Sequence, residues 1–231
     1  MNSTAEITEI FASIQGEGPY TGCRHIFIRF QGCNLECSFC DTRSYAGAER
    51  LSAREVLKRV LALRLPGFKN TAVLTGGEPL LRGVFLKELL PLLASENLTV
   101  YLETNGTLAK ALESVISYID IISMDIKLPS VCNIRPCWQD HRIFLTRAAG
   151  KELFIKIIVS DKIDIQEFDR ALALVKETSR DVPVIIQPET SRERTGVNIS
   201  ADTLLGLQKK ALSVFSKVLV IPQSHKMMGL R

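Results

Sequence analysis

Short runs of Val, Ile, Leu and Phe alternate along the chain with stretches whose apolar positions recur every three or four residues. The unbroken runs at 26–30, 71–75, 98–103, 119–125, 153–160, 182–187 and 218–221 predict strands buried on both faces, as parallel strands are. Between the first two, Ser52-Ala53-Arg54-Glu55 is a capping box, and Val56, Leu57, Val60 and Leu61 follow as an apolar stripe at helical spacing. Leu86, Leu89, Leu90 and Leu93 form a second stripe. Further helices are predicted over 108–118, 140–149, 165–179 and 200–213, the last capped by Ser200. Such alternation builds right-handed βαβ units and a parallel sheet. Seven strands fall short of a closed eight-fold barrel. The expected fold is therefore α/β: a partial, open parallel β/α barrel in one domain spanning residues 1–231.

Nearly every predicted strand runs into a polar tip: Thr75-Gly76-Gly77-Glu78, Glu103-Thr104-Asn105-Gly106, Ser123-Met124-Asp125-Ile126-Lys127, Gln187-Pro188-Glu189 and Gln223-Ser224-His225. Ligands of open α/β sheets and barrels bind at the carboxyl ends of strands, where these loops converge. Any one polar tip is an ordinary loop; five together predict a shared pocket.

Composition adds limits. Apolar residues make up 46% and charged residues 23%, ordinary for a globular protein. No apolar run approaches the ~18 residues that span a bilayer. Met1-Asn2-Ser3-Thr4-Ala5-Glu6 shows no export signal, so the cytoplasm is the expected location, without a membrane partner. A net charge of +4 with no block of like charges argues against a nucleic-acid partner and tolerates a small anionic substrate.

Six cysteines in a reducing compartment point to metal or catalysis before disulfides. Three of them form Cys33-Asn34-Leu35-Glu36-Cys37-Ser38-Phe39-Cys40, a C-x3-C-x2-C. Three thiolates so close can wrap one polynuclear centre, whereas a closed zinc site wants four ligands. Cys23, ten residues upstream, is a poor candidate for a fourth. On a 4Fe–4S cube, three thiolates leave one iron without a protein ligand. That iron can take the amino and carboxylate groups of S-adenosylmethionine.

The cysteine loop after one strand, followed by Gly76-Gly77-Glu78-Pro79 after the next, resembles the radical S-adenosylmethionine superfamily. The resemblance implies a 4Fe–4S cluster on Cys33, Cys37 and Cys40. It places S-adenosylmethionine against Phe39, Asp41, Gly77, Glu78, Ser123, Asp125, Lys127, Gln187 and Pro188. Glu9 to Gly18, Arg29, Cys40-Asp41-Thr42 and Pro222 to Lys226 are more selective. They are similar to the 7-carboxy-7-deazaguanine synthase family, which turns 6-carboxy-5,6,7,8-tetrahydropterin into 7-carboxy-7-deazaguanine on the route to queuosine. That likeness implies Mg2+ on Thr42, a pterin substrate against Ile14, Gln15, Gly16, Arg29, Thr75 and His225, and a homodimer. It also implies an electron donor such as flavodoxin or ferredoxin.

Plainer readings stand beside these. Arg29 also suits a strand cap or an ion pair, Thr42 a turn, His225 an inert terminal position, and Gln15 and Glu17 a turn. Glu103 has no assigned role; His25 and His141 read as structural, and Cys23, Cys132 and Cys137 as incidental. A glycyl-radical activase shares the cysteine loop and would consume S-adenosylmethionine stoichiometrically. A zinc-stabilised module without catalysis is the remaining alternative.

Overall fold

A computed structural model of the chain describes residues 3–40, 47–178, 181–191 and 196–230. In chain order it holds β1 (Thr4–Ile14), β2 (Arg24–Phe30), β3 (Glu49–Ser52), α1 (Ala53–Ala62), β4 (Thr71–Gly76), α2 (Gly83–Ser95), β5 (Thr99–Thr104) and α3 (Ala109–Glu113). Then follow β6 (Ile121–Ile126), α4 (Pro129–Cys132), α5 (Trp138–Ala148), β7 (Glu152–Val159), α6 (Ile165–Thr178), β8 (Val184–Pro188), α7 (Ala201–Leu212), β9 (Val218–Val220) and α8 (Ser224–Met227).

The strands form one sheet in the order β3-β1-β2-β4-β5-β6-β7-β8-β9. From β2 through β9 every pairing is parallel. These are the predicted strands. Two more, β1 and β3, were not predicted and extend the sheet by antiparallel pairing beyond β2. Ile14 is the last residue of β1. The predicted helix over 108–118 is instead α3 and a separate 3-10 turn at Ile116–Tyr118. At the head of α1 the capping box is complete: Glu55 N–H donates to Ser52 Oγ (3.4 Å) and Ser52 N–H to Glu55 Oε2 (2.8 Å).

The two faces of the sheet differ. On the outer one, strand residues such as Ile28, Leu74, Leu102, Ile122, Ile155 and Ile186 share a core with Val60, Leu89, Phe144, Phe168 and Leu207 of the helices. On the inner one, Phe11, Phe27, Val73, Tyr101, Ile121, Phe154 and Ile185 form a separate apolar belt, packed by Tyr20, Leu219 and Ile221. Side chains alternate along a strand, so positions two apart share a face. The inner face accordingly turns polar beyond the belt, with Arg29 two after Phe27, Thr75 after Val73, Glu103 after Tyr101, Lys156 after Phe154 and Gln187 after Ile185. Helices on one face and a polar rim on the other are the geometry of an open barrel, with β3 and β9 as its two edges.

Candidate active site

The polar rim encloses a cavity of about 730 Å3. Cys33, Cys37, Phe39 and Cys40 enter it from the loop after β2, and Thr75 and Gly77 from the end of β4. Asp125 and Lys127 come from β6 and its tip, Gln187 from β8, Arg29 from β2, and Ile14, Gln15 and Gly16 from the end of β1. His225 reaches it from α8. Glu78, Ser123 and Pro188 do not line the cavity. Asp41 and Thr42 lie outside the described residues.

Gly76 and Gly77 hold β4 against the start of the cysteine loop. The space that a Cβ would fill beside each glycine is taken by backbone atoms of the segment from Phe30 to Cys33, which leads into that loop. A Cβ on Gly77 would stand 1.9 Å from the Gly32 carbonyl oxygen, and one on Gly76, at φ +114°, 2.3 Å from that of Phe30. This approach lets Gly77 N–H donate to Phe30 O (3.0 Å) and Glu78 N–H to Gly32 O (2.9 Å), fastening β4 to the start of the loop.

Glu78 acts behind this turn. Its fully buried carboxylate accepts from Leu80 N–H (3.1 Å), Asn105 N–H (2.8 Å) and the Thr104 hydroxyl (2.9 and 3.0 Å). Burial pushes its pKa up to about 7 despite these donors. Asn105 carries the connection forward: its amide donates to Asn34 Oδ1 (2.9 Å) and to Cys33 Sγ (3.7 Å). Leu35 N–H also points at Cys33 Sγ (3.4 Å).

Cys132 lies at the back of the same loop. It is fully buried and accepts a hydrogen bond from Ser38 N–H at its carbonyl oxygen (2.9 Å). Cys137 is buried nearby, whereas Cys23 is exposed beside the first residue of β2. The sequence offered no period or motif that would join Cys132 to the loop.

The opposite wall is an ionic network. Lys156, 5% exposed, pairs with Glu17 and with Asp125 Oδ1 (3.1 Å), and Asp125 Oδ2 takes Lys127 (2.9 Å). Burial works against the Lys156 charge, but Asp125, Glu17 and Glu103 together hold its pKa well above the usual lysine range. Burial likewise opposes ionisation of Glu17, yet Lys156, His225 and the Gln223 amide hold its carboxyl far below the usual range. Glu103 moves the other way, because burial outweighs the pull of Lys156. Lys156 was legible as the one charged residue inside the apolar run of β7, and sequence reasoning passed over it.

The Gln15-Gly16-Glu17-Gly18 segment crosses this wall. Gln15 donates to Glu103 Oε1 (3.0 Å) and accepts from Glu17 N–H (3.1 Å), and the Thr75 hydroxyl donates to Glu103 Oε2 (2.7 Å). Gly16 abuts His225, and its carbonyl accepts from Ser224 N–H (3.0 Å). Gln223 donates to Glu17 Oε1 (2.8 Å). Segments from both ends of the chain thus close one side of the cavity. Arg29 lines the cavity over the Phe11 ring (5.4 Å), and its Nε donates to Glu9 (2.7 Å), the ion pair of its plainer reading.

The donor set suits an iron–sulfur cluster with a bound cofactor. Three soft thiols face one cavity, while no three His, Cys, Asp or Glu side chains among the described residues already gather as a single-ion site. Gln187 Oε1, buried on the cavity wall, has no hydrogen-bond partner among the described residues, leaving an acceptor for a ligand. The volume lies in the range of small-molecule sites.

Comparison with known proteins agrees. The sequence model of the Radical SAM superfamily matches residues 27–185, and the chain belongs to that superfamily. Membership implies a 4Fe–4S cluster and S-adenosylmethionine. Over 97% of both chains the protein is 41% identical to the 7-carboxy-7-deazaguanine synthase of Geobacter sulfurreducens, and over 98% of both it is 34% identical to that of Methanothermobacter thermautotrophicus. It is a member of the 7-carboxy-7-deazaguanine synthase family. Two solved structures share the fold: QueE from Escherichia coli (TM-score 0.64, 20% identity, 94% of this chain and 92% of that one) and TYW1 with a lysine–pyruvate adduct bound (TM-score 0.59, 16% identity, 83% and 74%).

Proposed function

We propose that the chain converts 6-carboxy-5,6,7,8-tetrahydropterin into 7-carboxy-7-deazaguanine with loss of ammonia, as one catalytic domain, in the pathway of queuosine and related 7-deazapurines. The observation that carries this reading is the meeting of the Cys33, Cys37 and Cys40 thiols with Arg29, Gln15 and Glu103 on one cavity. Family membership favours it over the glycyl-radical activase.

When bound, the cluster and S-adenosylmethionine supply a 5′-deoxyadenosyl radical able to take hydrogen from the substrate's C6. Cys33, Cys37 and Cys40 would hold the cluster. Phe39, which packs against Lys127 (5.9 Å), would stand with Gly77, Asp125, Lys127 and Gln187 along the cofactor, joined by Asp41. Glu78, Ser123 and Pro188 would act from behind the wall, Glu78 by fixing the turn that presents Gly77.

Arg29 would take the substrate carboxylate, since its planar guanidinium offers donors in a fixed fork. Glu103 suits the other end of the pterin. Its carboxylate accepts only, and the aminopyrimidinone edge presents N–H donors. Gln15 and Thr75 orient that carboxylate, and the covering segment of Gly16, Ser224 and His225 would exclude water. Thr42 would ligate Mg2+, a hard ion that keeps few protein ligands beside substrate and water. The proposed setting is a cytoplasmic homodimer reduced by flavodoxin or ferredoxin.

The test is anaerobic reconstitution with iron and sulfide, followed by S-adenosylmethionine, Mg2+, a reductant and the carboxytetrahydropterin. The expected result is 7-carboxy-7-deazaguanine in molar excess over 5′-deoxyadenosine. No product from fully loaded protein rejects the proposal.

A further inference from the structure

We propose that Asn105 is a tuning residue: its side-chain amide donates a hydrogen bond to the Cys33 sulfur and raises the reduction potential of the cluster that Cys33 holds. The proposal rests on the cluster reading above.

The contact is direct, and the amide that makes it is held at both ends. Asn105 Nδ2 donates to Cys33 Sγ (3.7 Å) and to Asn34 Oδ1 (2.9 Å), so each of its two hydrogens has an acceptor. Asn105 Oδ1 accepts from Thr107 N–H (3.1 Å) and from the Thr107 hydroxyl (2.6 Å). Asn34 Nδ2 in turn donates to Thr107 Oγ1 (2.8 Å), which leaves Asn34 Oδ1 facing Asn105. A reversed Asn105 amide would set its hydrogens against Thr107 N–H and its oxygen against Asn34 Oδ1 and the sulfur. The main chain is fixed as well, with the Asn105 N–H on Glu78 (2.8 Å) and its carbonyl on His141 (3.1 Å). Cys33 is exposed, whereas Asn105 is 6% exposed and meets it from inside the protein.

Leu35 N–H also donates to this sulfur (3.4 Å), a contact internal to the cysteine loop. Asn105 reaches it from beyond the end of β5, so its share can be removed without altering the loop's own sequence. A ligating thiolate is an electron-rich acceptor, and hydrogen bonds to the sulfurs of an iron–sulfur centre help to set its potential. Reduction adds negative charge to the centre, so a donor stabilises the reduced form more than the oxidised one. Loss of the donor must lower the potential.

The test is EPR-monitored redox titration of the reconstituted protein, with iron and sulfide measured on the same samples. Asn105→Leu keeps most of the volume and removes the donor. At the potential where half of the wild-type cluster is reduced, it is expected to lower the reduced-to-oxidised ratio threefold or more, tenfold being 59 mV for one electron. Asn34→Ala loosens the same loop but leaves Asn105 its donor, and is expected to lower the ratio less than threefold. A smaller fall in the leucine variant overturns the proposal, as does a threefold or larger fall in Asn34→Ala. If either variant loses its cluster, wild-type protein with labelled nitrogen in its asparagine side chains decides. Spin-echo modulation from that nitrogen is expected at the reduced cluster, and its absence overturns the proposal. Wild-type protein that binds no iron overturns the cluster reading and this proposal with it. A full cluster with an unmoved potential overturns the tuning role alone.

Discussion

Glu78 and His141 grip opposite sides of one residue, Asn105: the carboxylate accepts its N–H at 2.8 Å, and His141 Nε2 meets its carbonyl at 3.1 Å. Because the Asn105 side chain touches Cys33 Sγ, this pair fixes part of the cluster loop from two elements, α5 and the turn after β4.

Both groups titrate abnormally, in opposite senses. Burial raises Glu78 to about 7 and lowers His141 to about 4. For Glu78 the folded state binds the proton more tightly, so its favourable contribution is complete below pH ~4.5 and is lost as pH rises through about 7. For His141 the unfolded state binds the proton more tightly, so its contribution is complete above pH ~6.5 and is lost as pH falls through about 4. In the wild type these slopes offset each other between pH 5 and 7. Glu78→Gln should unmask the histidine slope. The stability difference between variant and wild type should change by about 3 kcal/mol between pH 5 and 8. Urea denaturation at a series of pH values checks this, and parallel pH profiles would refute it.

Gly77→Ala should damage the cluster loop without touching a thiol. The added methyl meets the Gly32 carbonyl at 1.9 Å, and the clash is with backbone, which cannot rotate away. A loss of about 2–3 kcal/mol, the upper part of the overpacking range, is expected. Iron and sulfide retained after anaerobic reconstitution should fall with it. Full loading and an unchanged melting temperature would show that the turn yields.

Legibility in the sequence followed the physics of each element. The parallel strands were visible because strands buried on both faces read as unbroken apolar runs. β1 was hidden by its own irregularity. Ile7, Ile10, Phe11 and Ile14 are spaced as on a helix, and the register shift between Ile7 and Glu9 is a bulge that makes this spacing work in a strand. Once it is inserted, Ile7 and Ile10 pack on the outer core and Phe11 on the inner belt. At the site, strand tips and the cysteine motif announced the cavity-lining residues. The burial of Glu78 could not be read in advance, because a glutamate in a Gly-rich turn carries no mark of it. Cys132 was dismissed because its hydrogen bond with Ser38 of the cysteine loop is made only by folding.

Arg29→Lys and Glu103→Gln should separate the two ends of the substrate. Lysine keeps the positive charge of Arg29 but loses the fork, so kcat/KM should fall about 10–100-fold, consistent with a charged hydrogen bond of ~1.5–3 kcal/mol. A substrate analogue without the carboxylate should bind both proteins alike. Glu103→Gln should give a similar fall with the native substrate and with the analogue, because the contact proposed for it is with the pyrimidine edge. Steady-state kinetics with the two compounds decides the assignment. A Glu103→Gln enzyme with wild-type kcat/KM would remove the carboxylate from the substrate contacts.

Lys156→Met tests the ionic wall as a whole. The methionine keeps most of the buried stem and removes the charge, leaving Glu17 and Asp125 without their shared cation and Glu103 without its counterweight. Breaking a buried ion pair from one side costs about 3–5 kcal/mol, and the lower end applies because the acids keep some exposure. For a chain of 231 residues, a loss of about 3 kcal/mol lowers the melting temperature by roughly 6–12 °C. The loss should shrink as pH falls towards 4. In the wild type, Glu17 has a depressed pKa and its contribution fades on acidification; in the variant that carboxyl, without Lys156 to set against its burial, is raised and gains by protonation. Adding Glu17→Gln to Lys156→Met should recover part of the stability, whereas Glu17→Gln alone should lose it. Thermal melts of the wild type, both single variants and the double variant between pH 4 and 8 measure this coupling. Simple additivity of the two changes would show that Lys156 and Glu17 do not act as a pair.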